Sequence, residues 1–430
     1  MDETEARPFG VWTAAALVVG AVIGAGIFIM PSQLAAYGWT GVAAWIAGGG
    51  GALLIALVLA AIARARPQEP GLIAVIGEVL GPVFGVLNGW GAWMSYCCSN
   101  AYISLTAVRY ATQFWPELGR TSWNETLAAS AIMAGLAWLN LSGLRAAGRF
   151  QVATTVLKLL PLAAVLAILA WIAGSNPGAF GRTPHAAFSG GDLFPAAALA
   201  FVAIMGFESA SLAAERVRNP ERNVPRSTIL GVLLCCAIYL LVCSGIVFVL
   251  PEAEATASRA PIAMFIAGYW GDWAGLAVAG FAVISAVGGL NVWVMMQGEV
   301  PLGLARAGLL PKAIGRTNRH DIAVVPLVTG TGLTILLLLS SIWRDGAALM
   351  DFMLRLTSAS GLWIYAFACV SALVLRVRVV VAALGLIFTL ALMYGSGLEA
   401  VLLSIALMLA ALPFYWLARR AATPAATAAR

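Results

Sequence analysis

Two ionisable side chains lie inside long apolar runs: Lys158 in TTVLKLLPL and Glu208 in GFESAS. A charged group at membrane depth is costly and reads as functional. Burial penalises the charged ammonium, so Lys158 could release and reload a proton during a cycle. The alternative is a lysine that snorkels to a membrane face a turn or two away. Glu208 could sense protons or balance a cationic ligand; its alternative is a structural carboxylate satisfied by freed peptide N–H groups. A second kind of chemistry belongs to the backbone. The stretch LVVGAVIGAGIFIMP (17–31) carries Gly20, Gly24 and Gly26 and then Pro31, although a glycine inside a helix costs about 1 kcal/mol relative to alanine. Irregular backbone is tolerated in a membrane only where it lines a protein-enclosed cavity. A break here would offer N–H groups to a carboxylate and unwound carbonyls to an ammonium. Gly24, Ala25 and Gly26 would let the polar head of a zwitterion approach, and Gly206 would do the same from a later span. Donors and acceptors together fit an α-amino acid. A small-x-x-x-small packing face through Gly20 and Gly24 is the competing account.

The elements that must position these groups are membrane helices. Of 430 residues, 61% are hydrophobic and 10% charged, against about 25% charged in soluble domains. Long unbroken apolar runs exclude an outer-membrane barrel. The acidic start MDETEARPFG has no small-residue cleavage site after it, so the first run reads as a retained span rather than a signal peptide. At roughly 20 apolar residues per crossing, spans fall near 10–36, 41–63, 82–114, 124–142, 150–173, 193–213, 227–250, 272–304, 322–343, 347–374, 378–395 and 397–418. The expected class is therefore an all-α integral membrane protein of twelve transmembrane helices. Eighteen Lys and Arg residues lie in loops on one side and four, Arg120, Arg182, Arg259 and Arg344, on the other. The positive-inside rule then puts both termini in the cytoplasm.

An internal repeat follows. GAVIGAGIF has its weak point near residue 25 and FVAIMGFESAS near residue 206, 181 residues further on. Five spans separate them, so the second unit is inverted relative to the first. Paired glycine-interrupted helices in inverted halves point to the central site of a secondary transporter. The expected organisation is a cytoplasmic N-terminus (1–9), a first inverted repeat (10–174), a second (193–375), two extra C-terminal helices (376–418) and a cytoplasmic tail (419–430).

Other residues are weighed singly. Trp293 could stack on a substrate and favours a cation, or it is core packing. Asn100 must find a partner, substrate or neighbouring helix, and Thr357 could bond its own helix. Asp351 and Arg355, spaced i,i+4, read as a pair; Arg109 reads as a snorkelling side chain. The six cysteines lie in apolar runs without a Cys-x-x-Cys pair and read as small buried hydrophobes. The two histidines cannot make a metal site alone. No phosphate loop is present, so the expectation is not an enzyme, with no cofactor and no metal. A channel would want filter-like repeats around a symmetric pore; the inverted pair of breaks favours alternating access.

At these residues the chain resembles the amino acid–polyamine–organocation (APC) family over nearly its whole length. GAGIFIMP resembles the first-helix signature, GFESASLAAERVRNPERNVPRSTILG (206–231) the sixth helix and its following loop, and GEVPLGLARAGLLP (298–311) the end of the eighth. The nearest likeness is to the bacterial arginine/agmatine antiporter group. The resemblance implies a five-plus-five inverted fold with broken helices 1 and 6, and secondary transport of an amino acid or its amine across the inner membrane. It implies either proton-coupled uptake or exchange, with a possible homodimer; the net charge of +6 reflects where arginines sit relative to the bilayer and is no footprint of a nucleic-acid partner. It places Ile23, Gly24, Ala25 and Gly26 at the substrate head; Ser95, Tyr96, Asn100 and Ile103 on the third helix; and Val202, Met205, Gly206 and Glu208 on the sixth. Trp293 and Thr357 complete the set, and the matching glutamate in that group is linked to pH response. It implies that Lys158 occupies the place of a sodium ion used by relatives, as in proton-coupled members; the arginine/agmatine antiporters lack that lysine. That group also has an aromatic gate where this chain has Val202, leaving Phe201 or Phe207 as gate, and an asparagine where this chain has Ala21.

Overall fold

The computed structural model describes residues 7–24, 26–66, 71–181, 185–258, 260–340, 342 and 346–422, without the side chains of 346–352, 354–355, 358 and 421–422. Ala25, Asp351 and Arg355, named above, therefore lie wholly or by their side chains outside the described residues. Helices dominate. Among the described residues the only extended pairing is two isolated bridges, Phe9 with Val217 and Thr317 with Ala323.

In chain order, α1 (Val11–Val22) is followed by a 3₁₀ turn at Gly26–Phe28 and by α2 (Met30–Ala35). Then come α3 (Gly38–Ala65), the short α4 (Leu72–Leu80), α5 (Pro82–Ala111), α6 (Ser122–Leu141) and α7 (Leu144–Ser175). Helix α8 (Leu193–Ile204) is followed by α9 (Ser209–Leu212) and α10 (Pro220–Val249). Two short helices, α11 (Glu252–Ala257) and α12 (Pro261–Trp270), precede α13 (Asp272–Arg306). The chain ends with α14 (Val324–Ser340), α15 (Gly346–Val374), α16 (Val379–Gly395), α17 (Leu398–Leu409) and α18 (Leu412–Ala422). Helices α3, α7, α10 and α13 and the segment Leu398–Arg420 are long and apolar enough to cross a membrane, and shorter apolar helices accompany them. This is an all-helical, multi-pass membrane protein.

Several boundaries differ from the hydropathy reading. Helix α10 starts at Pro220 rather than near 227, because proline fits a first helical turn, where its missing N–H is no loss. The run 397–418 divides between Leu409 and Leu412: Pro413 has no N–H to continue a helix and crowds the residue before it. Segments read as loops hold α4, α11 and α12.

Helix α13 is the axis of the bundle. From Gly288 to Leu302 every residue except Trp293 is buried, as expected of a helix apolar on all sides. It packs against α5, α7, α1 and α14, while α10 packs against α3 and α1. Small residues permit the close approach: a Cβ on Gly288 would meet Thr154 at 2.6 Å, and one on Gly289 would lie 3.5 Å from the Gly24 Cα.

Candidate functional site

The first interruption falls where the glycines sit. Ile23 has φ −80° and ψ 80°, and the Gly24 N–H donates to the Val22 carbonyl at 2.9 Å. That is an inverse γ-turn, which stops the i to i−4 ladder of α1. The last carbonyls of a helix then need partners from elsewhere. Lys158 Nζ, on α7, donates to the Gly20 carbonyl at 3.0 Å and to the Ile23 carbonyl at 2.6 Å. Tyr239, on α10, donates its hydroxyl to the Val22 carbonyl at 3.0 Å. Ser285, on α13, reaches the carbonyls of Ile23 at 3.3 Å and Gly24 at 3.0 Å. Lys158 is fully buried and does not snorkel. Insertion scales put a lysine at mid-membrane at about 2.5–3.5 kcal/mol, and two hydrogen bonds from a charged donor, at about 1.5–3 kcal/mol each, offset it. The ammonium that the Gly20 and Ile23 carbonyls hold is thus the protein's own.

The three glycines do different things. A Cβ on Gly20 would run into the Gln151 side chain and lie 3.0 Å from Thr155 Oγ1, so Gly20 is a packing residue. A Cβ on Gly24 or Gly26 would meet nothing within 4 Å. Open space lies beside the break itself.

The second interruption follows α8. Met205 has φ −55° and ψ 147° and Gly206 has φ +116°, close to the central pair of a type II turn, whose second position wants glycine. Here the main compensation comes from the segment itself: the Gly206 N–H donates to Glu208 Oε2 at 3.0 Å. Tyr365, on α15, donates its hydroxyl to the same oxygen at 2.6 Å. The Phe207 ring stacks on Tyr365, 5.0 Å between centroids, and Phe201 meets both rings and Phe388 edge-on. A Cβ on Gly206 would lie 3.0 Å from the Ala21 Cβ and 3.1 Å from Trp293 Cζ2. The two interrupted helices therefore touch at their interruptions, and Trp293 lies against the contact.

A cavity of about 1290 Å³ opens on one face of the bundle. Its walls come from the C-terminal part of α5, the first turns of α13, α12 and the turn at Pro116–Gly119, with Tyr102, Thr106, Arg109 and Asp272 among them. It reaches Phe28 and Ile29, just past the first break, and Ala282, one turn short of Ser285.

Comparison with known proteins decides what such an arrangement belongs to. The family model described as amino acid permease matches residues 9–427. The chain belongs to the amino acid permease family. Among similar proteins, the cadaverine/lysine antiporter of Escherichia coli (strain K12) is 29% identical over 325 residues, 74% of this permease and 71% of the relative. The arginine/ornithine antiporter of Latilactobacillus sakei is 26% identical over 369 residues, 84% and 77% of the two chains. This permease is accordingly a membrane transporter of amino acids and not an enzyme.

The permease fold gathers some of the residues expected from sequence and separates others. Ile23, Gly24 and Lys158 share the first break; Met205, Gly206 and Glu208 form the second. Tyr96 packs on Trp293 with ring centroids 5.2 Å apart. Ser95 donates to the Thr357 carbonyl at 3.1 Å and Ser99 to its hydroxyl at 3.4 Å. Val202, Met205, Trp293 and Thr357 are half-buried. Asn100 is fully buried and donates to Gln297 at 2.6 Å, joining α5 to α13. Ile103 packs beside Ala107 and Ala286. Phe201 and Phe207 are fully buried in the aromatic cluster. Arg109 lies at the cavity wall, 3.8 Å from Glu125. Tyr239 and Ser285, which hold the first break, escaped sequence reading because a hydroxyl in an apolar run carries no signal of its target. Tyr102 and Thr106 were likewise invisible as cavity residues.

Proposed function

We propose that this permease is an exchanger of cationic amino acids and their amines in the inner membrane of a bacterium, working by alternating access. The observation that carries the reading is the contact of two interrupted helices at Ala21 and Gly206 beside open space at Gly24 and Gly26. Peptide groups and glycines there suit the common head of an amino acid, and Trp293 suits a cationic side chain. The relatives' exchange of lysine, arginine and the matching amine or ornithine supports the cargo class. In this reading the chain has twelve spans, with inverted repeats at 10–174 and 193–375, helices at 376–418 outside them, and both termini cytoplasmic. Ile23, Gly24, Ala25 and Gly26 hold the head; Ser95, Tyr96, Asn100, Ile103, Val202, Met205, Gly206, Trp293 and Thr357 shape the pocket; a homodimer is compatible with it.

A second reading rests on Lys158. Its ammonium clamps α7 to the last carbonyls of α1, so losing a proton would weaken that clamp from charge-assisted to neutral hydrogen bonds and couple uptake to a proton gradient. Purified protein in vesicles separates the two. Labelled lysine outside should exchange for unlabelled lysine, ornithine or cadaverine inside, and saturate. Exchange that survives in Lys158→Ala supports the exchanger; dependence of net uptake on an inward proton gradient, abolished in Lys158→Ala, supports proton coupling. Absence of saturable exchange for every cationic amino acid and amine tested would sink the cargo assignment.

A further inference from the structure

Away from the cavity lies a chain of alternating charge, Glu299–Arg216–Asp321–Arg306–Glu215. Arg216 is almost fully buried. Its guanidinium donates to both carboxylate oxygens of Glu299, at 2.8 and 3.2 Å, to Asp321 Oδ2 at 2.6 Å and to the Asp321 carbonyl at 2.7 Å. Arg306 takes the other side of Asp321, at 2.7 and 2.9 Å, and pairs with Glu215. Burial would raise the Asp321 carboxyl, but its hydrogen bonds from Arg306 and Arg216 hold it below its ordinary value. It therefore stays ionised near neutral pH.

What this chain of charges grips is specific. Arg216 follows α9 by four residues, so it is the continuation of the second interrupted helix. Its carbonyl accepts the Phe9 N–H at 3.0 Å, and the Arg218 N–H donates to the Phe9 carbonyl at 2.9 Å. Phe9 immediately precedes the Gly10 cap of α1. The outer ends of both interrupted segments are thus tied together and then fastened to the end of α13 and the connection to α14. At 1.5 Å per residue, Ala279 at the cavity and Glu299 at the junction are about 30 Å apart along α13. The breaks lie between. The Arg120–Glu117 pair at the cavity mouth is of another kind: both side chains are three-quarters exposed, and such a pair holds little. A bidentate, desolvated guanidinium with every partner in place resists opening, since removing one partner strands the other charges.

We propose that the Arg216–Glu299–Asp321 junction is the latch of the closed face. It must release before the half-helices attached to Phe9 and Arg216 can move and the site can open on that side. This rests on the alternating-access reading above. The test is a pair of distances measured by pulsed electron resonance between nitroxide-labelled cysteines, on full-length protein with the half-buried Cys236 replaced by serine. One label pair, at the exposed positions Asn219 and Arg319, spans the latch; the other, at Glu117 and Trp273, spans the cavity mouth. Glu299→Gln should raise the population with a lengthened 219–319 distance at least about tenfold, from the few per cent or less of a minor state, and shorten the 117–273 distance in the same molecules. Asp321→Asn, at a position 35% exposed and so milder for folding, should shift both in the same sense by less. Arg216→Lys should fall between it and the unaltered protein. A lowered melting temperature with both distance distributions unmoved, in either acidic variant, overturns the latch and leaves a structural junction. No cargo is needed for these distances. A failure of lysine exchange would therefore count against the cargo alone, and unmoved distances against the latch alone.

Discussion

The two interruptions solve one problem in opposite ways. At the first, carbonyls left by α1 are answered by donors from three other helices: Lys158 on α7, Tyr239 on α10 and Ser285 on α13. At the second, the freed Gly206 N–H is answered two residues on by Glu208, and among the described side chains Tyr365 alone is borrowed from elsewhere. The second break is mostly a local motif, whereas the first is held only while four helices stay in register. The first break can therefore report the arrangement of the bundle. If α7 or α13 shifts by an ångström or two, its hydrogen bonds fail, because such bonds weaken steeply beyond their normal range.

The second break is most sensitive at Gly206. Gly206→Ala must abandon φ +116° or bear the strain of it, and its Cβ meets Ala21 and Trp293. A loss of about 1–3 kcal/mol should appear as a lower melting temperature in detergent together with loss of exchange; a variant with normal melting would show that the second break is not rigid. Lys158→Ala comes next. Two charge-assisted bonds are lost while the burial penalty of the ammonium disappears, so the net cost should be about 1–2 kcal/mol, with the larger change in gradient-driven uptake. Ser285→Ala is smaller, about 1 kcal/mol: the Ile23 carbonyl keeps Lys158 and only Gly24 loses its described side-chain donor. Smallest in stability is Gly24→Ala, whose Cβ meets no atom within 4 Å. It should melt as the parent does, yet lose most of the thermal protection that saturating lysine gives. Undiminished protection would mean that the open space beside Gly24 is not where the amino-acid head lies.

Legibility in the sequence followed how local each feature is. The runs around α3, α7, α10 and α13 were plain, because twenty apolar residues have one common explanation. Gly20, Gly24 and Gly26 marked the first break, but their division into one packing residue and two residues facing open space was hidden, since it depends on Gln151 and Thr155 from α7. For Glu208, capping of the break was the second of two readings its neighbours allowed, beside proton sensing or charge balance. Asn100 was readable only as an amide in need of a partner; that the partner is Gln297 depends on how α5 meets α13. The charged loop ERVRNPERNVPR gave no hint that Arg216 would be buried while Arg218, Arg222 and Arg226 stay exposed.

By itself, then, the sequence determined that this chain is helical, crosses a membrane many times, and interrupts itself at two glycine-containing sites. Those properties follow from hydropathy and from the backbone freedom of single residues, which act within a few positions along the chain. Only the tertiary structure decided which carbonyls Lys158 holds, where the cavity opens and which carboxylates surround the buried Arg216. Hydrogen bonds and ion pairs between residues more than a hundred positions apart depend on distances that no local pattern encodes.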